Sequence, residues 1–262
     1  MFKDITLGQY YQTSSLLHSM DPRTKLVGTM VFIIVLFLCK SVPDFLVSGA
    51  FLALCIFLSK VPPAFMFRGM KGVMFLLILT VLFNMLLTPG VPIYTMGFVK
   101  ITAQGLRAAI LLAVRLTMLI VGSSVMTLTT TPTNLTDGME SLMRPLSAFK
   151  IPVHEVAMMM SIALRFIPIL MEETDKIMKA QMARGADFES GNVMTRAKAM
   201  VPILVPLFVS AFKRASDLAM AMEARCYQGG SKRTRLNPLR YSKTDILAYV
   251  VLGAYVAVIL II

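Results

Sequence analysis

The sequence predicts an all-α integral membrane protein, with about five transmembrane helices and a cytoplasmic-side module of one short and two long amphipathic helices. Three observations predict it. Of 262 residues, 56% are hydrophobic and only 15% are charged, against about 25% charged in soluble domains. The apolar residues gather into runs separated by polar or proline-bearing turns. Between positions 130 and 243 the pattern changes: charge is dense there, and hydrophobic residues recur at helical steps.

The first run, 26–39, is bracketed by Lys25 and Lys40, and the second, 45–58, follows the turn SVPD. Both are short against the ~20 residues of a bilayer crossing; flanking lysines that snorkel to the interface reconcile the length. The third run, 73–87, follows a basic linker, KVPPAFMFRGMKG. The fourth, Ala103–Thr129, contains Arg107 and Arg115, eight residues apart and so near one helix face. The fifth is 246–262. The implied organisation is 1–129 for the N-terminal segment and first four helices, 130–243 for the amphipathic module, and 244–262 for the last helix.

Within the module, Thr131 is an N-cap with Pro132 at the first helical position. Leu135, Met139, Leu142, Leu146 and Phe149 follow at helical spacing. A long helix is expected over about 152–185 and a second over about 194–226, bent at Pro202 and Pro206. A basic loop, YQGGSKRTRLNP, leads to the last span.

The net charge is +12. In a membrane protein such a surplus reports orientation rather than nucleic-acid binding. Lys and Arg concentrate in the N-terminal segment, the 60–71 linker and the module, while the 40–44 turn and the 88–102 connection carry only Lys40 and Lys100. The first 25 residues contain no apolar core of a signal peptide. The expected arrangement is a cytoplasmic N-terminus, four crossings, a cytoplasmic module and an extracytoplasmic C-terminus.

Catalytic signatures are missing. There is no phosphate-binding G-x-x-x-x-G-K-[ST], and the His154–Glu155 pair lacks the second histidine of a zinc protease. Asp137 and Glu140 read as solvated acids near a helix N-terminus. Three scattered cysteines and two histidines give neither a disulfide framework nor a metal spacing. The chain is therefore expected to be non-enzymatic and to carry no cofactor. Arg115 falls about 18 Å along its helix, at a depth where an unpaired arginine costs roughly 2.5–3.5 kcal/mol. It either ties helices together through backbone carbonyls or meets a partner. No acidic residue lies within a predicted span, which counts against the alternative of a small autonomous carrier or channel.

One statement is made twice. MARGADF (182–188) and MEARCYQG (222–229) each close a methionine-rich amphipathic segment with Ala-Arg. Arg in a last helical turn complements the dipole, and Gly185 is a natural residue just past a helix end. Two such ends on one side of the membrane also offer a paired device: a small Ala permits close approach, and Arg presents a planar charged fork to a carboxylate.

These residues resemble a known family. SSLLHSMDPRTKL (14–26), LRFIPILMEETDKIMKAQMARG (164–185) and PLFVSAFKRASDLAMAMEARCY (206–227) are similar to the N-terminal and two signature segments of the transmembrane T component of energy-coupling factor transporters, ABC-type importers of vitamins and of nickel or cobalt ions. The resemblance spans nearly the whole chain. It implies a subunit in a bacterial or archaeal cell membrane that couples two ATPase subunits, which would hold ATP and Mg, to a small membrane-embedded substrate-binding S component. The residues it points to for ATPase docking are Ala183, Arg184, Gly185, Ala224, Arg225 and Cys226. It points for the S component to Met158, Met159, Met160, Ala163, Ile167, Met178, Met182 and Met220, whose other reading is packing of the two long helices on each other. Cys226 stands where the family has Gly, so the second helix end is expected to adopt a left-handed conformation less cheaply than the first.

Overall fold

The computed structural model describes residues 10–96, 99–188, 192–229 and 238–262; positions 189–191 and 230–237, within the two loops expected around the second long helix, lie outside the described residues, as do 1–9 of the N-terminal segment. In chain order the elements are α1 (Leu16–Ser19), α2 (Pro22–Leu38), α3 (Val42–Ser59), α4 (Pro63–Lys71), α5 (Met74–Leu87), β1 (Pro92–Met96), β2 (Val99–Thr102), α6 (Ala103–Thr129), α7 (Pro132–Met143), a 3₁₀ turn (Arg144–Phe149), α8 (Val153–Ala183), α9 (Val193–Ala224) and α10 (Lys243–Ile261). All five apolar runs fold as helices, and the fold class is all-α. The two strands form a small antiparallel hairpin that joins α5 to α6.

The structure departs from the sequence reading at four places. The basic linker is largely helical: Pro63 occupies the first turn of α4, where its missing N–H costs nothing. Gly72 and Val73 keep right-handed helical torsions, and the Val73 N–H bonds back to Met70 at 3.0 Å, so only a tight 3₁₀ step separates α4 from α5. The 88–102 connection holds the hairpin. The first helix of the module stops at Met143, because Pro145 cannot donate to an α-helical ladder, and Leu146 and Phe149 fall in the 3₁₀ turn. The fourth difference concerns length. Among the described residues, five helices are long and apolar enough to cross a membrane, but they are Val42–Ser59, Ala103–Thr129, Val153–Ala183, Lys198–Ala224 and Lys243–Ile261. The first half of α8 carries only Glu155 and Arg165, so charge gathered toward its C-terminus hides a span-length apolar stretch. By contrast α2 has 17 residues and α5 has 14.

The described residues form two compact units, one from 10–142 and 238–262, the other from 143–188 and 192–229. In the first, α2, α3, α4 and α5 pack on α6, and α10 packs on α2 and α3. Gly122 lets α2 and α6 touch: a Cβ there would stand 2.6 Å from the Phe32 ring. Phe51 and Tyr255 stack at 4.5 Å between α3 and α10, and the Tyr255 hydroxyl meets Ser48 Oγ at 3.0 Å. Helix α7 belongs to this unit, with Gly138 pressed on Pro22 and Leu26.

The N-terminal segment closes one end of the unit. The last carbonyls of α6 have no partners within their own helix. The Tyr11 N–H bonds Leu128 O at 2.9 Å, and the Lys25 ammonium bonds Thr129 O at 2.9 Å and His18 O at 3.3 Å. Asp21 caps α2 by accepting from the Arg23 N–H, and Asp245 of α10 accepts from the Asp21 N–H at 2.9 Å. His18 Nε2 donates to the Tyr11 carbonyl at 3.0 Å, which leaves Nδ1 to accept from the Ser15 hydroxyl at 2.7 Å. The similar motif Ser…His…Asp-Pro-Arg-x-Lys is thus a clasp.

Burial holds His18 below its ordinary pKa of 6.5; the Tyr11 carbonyl opposes this and the Lys25 charge adds to it. The neutral ring is the one that fits between donor and acceptor. A His with a depressed pKa contributes stability that is complete above 6.5 and is lost as pH falls toward the lower folded value. Thermal stability in detergent is expected to fall between pH 7 and pH 5, and to fall less in His18→Asn; equal slopes would show that the clasp does not titrate.

Candidate functional site

The second unit is built on the two long helices. α8 and α9 pack on each other, and the Arg214 guanidinium bonds Glu173 Oε2 at 3.0 Å. Pro168 lies inside α8, and Pro202 and Pro206 inside α9. The ion pair is partly solvated, so its worth is at most about 1 kcal/mol. Its placement matters more. Glu173 stands eleven residues before Arg184, and Arg214 stands eleven residues before Arg225. Each arm is thus about 16 Å long, and each terminal arginine shares a helix face with the residue that ties the helices, since eleven residues make about three turns.

Both ends close in the same way. Arg184 is the C-cap of α8; the Gly185 N–H bonds Met182 O at 3.0 Å and the Ala186 N–H bonds Gln181 O at 3.0 Å. Arg225 is the C-cap of α9; the Cys226 N–H bonds Glu223 O at 2.8 Å and the Tyr227 N–H bonds Met222 O at 3.1 Å. These pairs of bonds define the Schellman motif, which needs a left-handed residue just past the cap. Gly185 supplies it at φ 88° and Cys226 at φ 56°. Cys226 adopts the left-handed conformation that Gly185 adopts, so the backbone motif is preserved at both ends and the side chain costs backbone energy at the second. Ala183, Arg184, Gly185, Ala224, Arg225 and Cys226 are all exposed. Among the described residues neither terminal guanidinium has an acidic partner.

The methionine candidates divide by position. On α8, Met160, Ala163, Ile167, Met178 and Met182 fall on one face, with Met159 exposed beside them and Met158 half-buried. Met220 is exposed near the end of α9. Sequence reasoning passed over a stronger feature, the stripe Val201, Leu204, Val205, Phe208, Val209 and Phe212 on α9. Every member is more than half exposed, and the two phenylalanine rings lie 4.9 Å apart. Steps of three and four residues were the available signal. Arg107 and Arg115 are not brought together. Arg107 is exposed one turn into α6. Arg115 donates to the carbonyl of Cys39 at the end of α2 at 2.5 Å and lies over the Phe45 ring at 5.5 Å. That carbonyl is the negative end of the α2 dipole, a favourable place for a cation.

Two matched arginine-bearing helix ends thus stand on an all-α chain with several span-length apolar helices. Residues 13–236 match the family model of the cobalt transport protein CbiQ. The chain belongs to this family, the transmembrane components of energy-coupling factor transporters. The transmembrane protein EcfT of such a transporter from Ruminiclostridium cellulolyticum is 49% identical over 94% of this chain and 92% of its own. The EcfT proteins of Thermanaerovibrio acidaminovorans and Bacillus subtilis are 50% and 48% identical, each over 97% of this chain and 94% and 97% of their own lengths. This is a multi-pass protein of the cell membrane and one component of a multi-subunit transporter.

Two outcomes test the site's geometry. Cys226→Gly is expected to stabilise the end of α9 by about 1 kcal/mol, the left-handed penalty removed, read as slower amide exchange at Tyr227 with that at Ala186 unchanged. Glu173→Arg is expected to weaken transport by the assembled complex, and the swap Glu173→Arg with Arg214→Glu to restore it; a swap no better than the single variant would remove the ion pair from the mechanism.

Proposed function

We propose that this chain couples two ABC-type ATPase subunits, which bind ATP and Mg and carry out hydrolysis, to one small membrane-embedded S component that binds a micronutrient, a vitamin or a transition-metal ion. The chain itself does no catalysis and holds no cofactor. Arg184 and Arg225 dock on the two ATPases, with the adjacent small residues permitting close approach. The observation that carries this reading is the pair of exposed arginine caps with identical Schellman geometry on two helices tied at equal distance from each.

ATP binding draws the two ATPases together, and the two caps follow. Because the helices are joined at Glu173 and Arg214, displacement of one cap shears α8 against α9. The S component lies on the apolar faces of these helices, on Met159, Met160, Ala163, Ile167, Met178 and Met182 of α8 and on the α9 stripe through Phe208 and Phe212, and the shear changes its tilt. Long exposed apolar stripes on crossing helices support a partner that is itself apolar. We place the N-terminus and both caps on the cytoplasmic side, where the Lys and Arg excess lies, and the C-terminus outside.

Charge reversal at either arginine is expected to separate uptake from ATP hydrolysis or to cut recovery of the ATPases with the tagged chain. Reversal of both is expected to abolish uptake of the substrate in whole cells. Normal uptake and normal complex recovery in the double variant would refute the docking role. Transport by the purified chain alone in liposomes would favour an autonomous carrier instead.

A further inference from the structure

The first unit contains a groove of about 230 Å³ lined by α1, α2, α3, α6 and α10, and its surface is almost wholly apolar. Gly28 and Phe32 of α2 and Gly122 and Val125 of α6 are among its lining residues. Around Gly28 there is open space: no atom lies within 4 Å of the position a Cβ would take. Leu54 on α3 and Leu247 and Val251 on α10 form the rims, and they are 46%, 64% and 37% exposed. The groove therefore opens sideways between two span-length helices, toward hydrocarbon and not toward water. Side chains around such an opening gain dispersion contacts only from something that fills it.

One end of the groove is cationic. Lys25 stands there, at the boundary of the apolar run, with two of its three N–H groups on the carbonyls of His18 and Thr129. Lys243 precedes the lining residue Thr244, and it is exposed. The carboxylates of Asp245 and Asp21 favour the Lys25 charge from nearby, but accept their hydrogen bonds from backbone N–H groups. Asp245 accepts from the N–H groups of Asp21 and Ser242, and Asp21 accepts from that of Arg23. Burial outweighs both and lowers the Lys25 pKa to about 8. The groove thus pairs an apolar body with a partly buried ammonium at its end, and the exposed Lys243 beside it adds positive charge.

We propose that the groove binds one acyl chain of an anionic phospholipid, with the lipid phosphate against the Lys25 ammonium. Basic sites between helices at the cytoplasmic face hold anionic headgroups in membrane proteins, and each buried methylene of the tail adds to retention. A neutral or zwitterionic lipid fits the body of the groove but leaves the ammonium uncompensated.

The test uses the full-length chain reconstituted in vesicles of equal phosphatidylglycerol and phosphatidylcholine, then released into mild detergent and weighed by native mass spectrometry. One phosphatidylglycerol per chain is expected to survive release. Gly28→Phe fills the open space from α2, and Ala248→Phe, also in the lining, does so from α10 should the first variant not fold; either is expected to reduce the adduct at least tenfold. Lys25→Gln keeps donors for the two carbonyls while removing the charge, and is expected to retain a lipid without preference between the two headgroups. A wild-type chain that holds no lipid, that holds both lipids equally, or whose adduct survives both phenylalanine variants overturns the proposal.

Discussion

Everything in the first unit depends on how the C-terminus of α6 is closed. A 27-residue helix ends in carbonyls that its own backbone cannot satisfy, in an environment where an unpaired polar group is expensive. The chain supplies donors from the far end of its sequence, the Tyr11 N–H and the Lys25 ammonium. Because Lys25 also holds His18, and Asp21 holds α10 through Asp245, the same few bonds fix α1, α2, α6 and α10 relative to one another. The central helix then serves as the surface on which α3, α4 and α5 are laid. A further contact of α6, Arg115 to the Cys39 carbonyl, repeats the principle in reverse, with α6 satisfying the end of α2.

The second unit follows a different logic. Its helices are held to each other by modest contacts, yet they present much uncovered apolar surface and end in two like-shaped charged caps. The first unit is a bundle packed on α6, and the second is a pair of helices tied by the Glu173–Arg214 ion pair with long apolar faces left exposed.

How much of this the sequence displays depends on the physics of each feature. Helix α6 is legible because its apolar run is long, carries only Arg107 and Arg115 as charges, and begins after Thr102, whose side chain caps it. The long helices α8 and α9 are legible because their apolar positions repeat at helical steps up to Ala-Arg. The helix α4 was hidden by its prolines and basic residues, which look like a linker when the first-turn tolerance of proline is not weighed. The span-length character of α8 was hidden because charge at one end of a helix masks an apolar half. The clasp was visible only as a string of residue types: nothing local says that Lys25 reaches a carbonyl 104 positions away. The equal arms from Glu173 and Arg214 could be counted from the sequence, but only a structure shows that those two residues meet.

The eleven-residue arms restrict how such a chain can vary in length. One residue inserted between Glu173 and Arg184, or between Arg214 and Arg225, would turn the terminal arginine by about 100° about the helix axis and move it about 1.5 Å along it. The same insertion between Ala186 and Asn192 leaves both arms intact. Of the 41 positions that separate the two arginines, the last eleven belong to the second arm, and insertions between Arg184 and Arg214 leave the length of both arms unchanged.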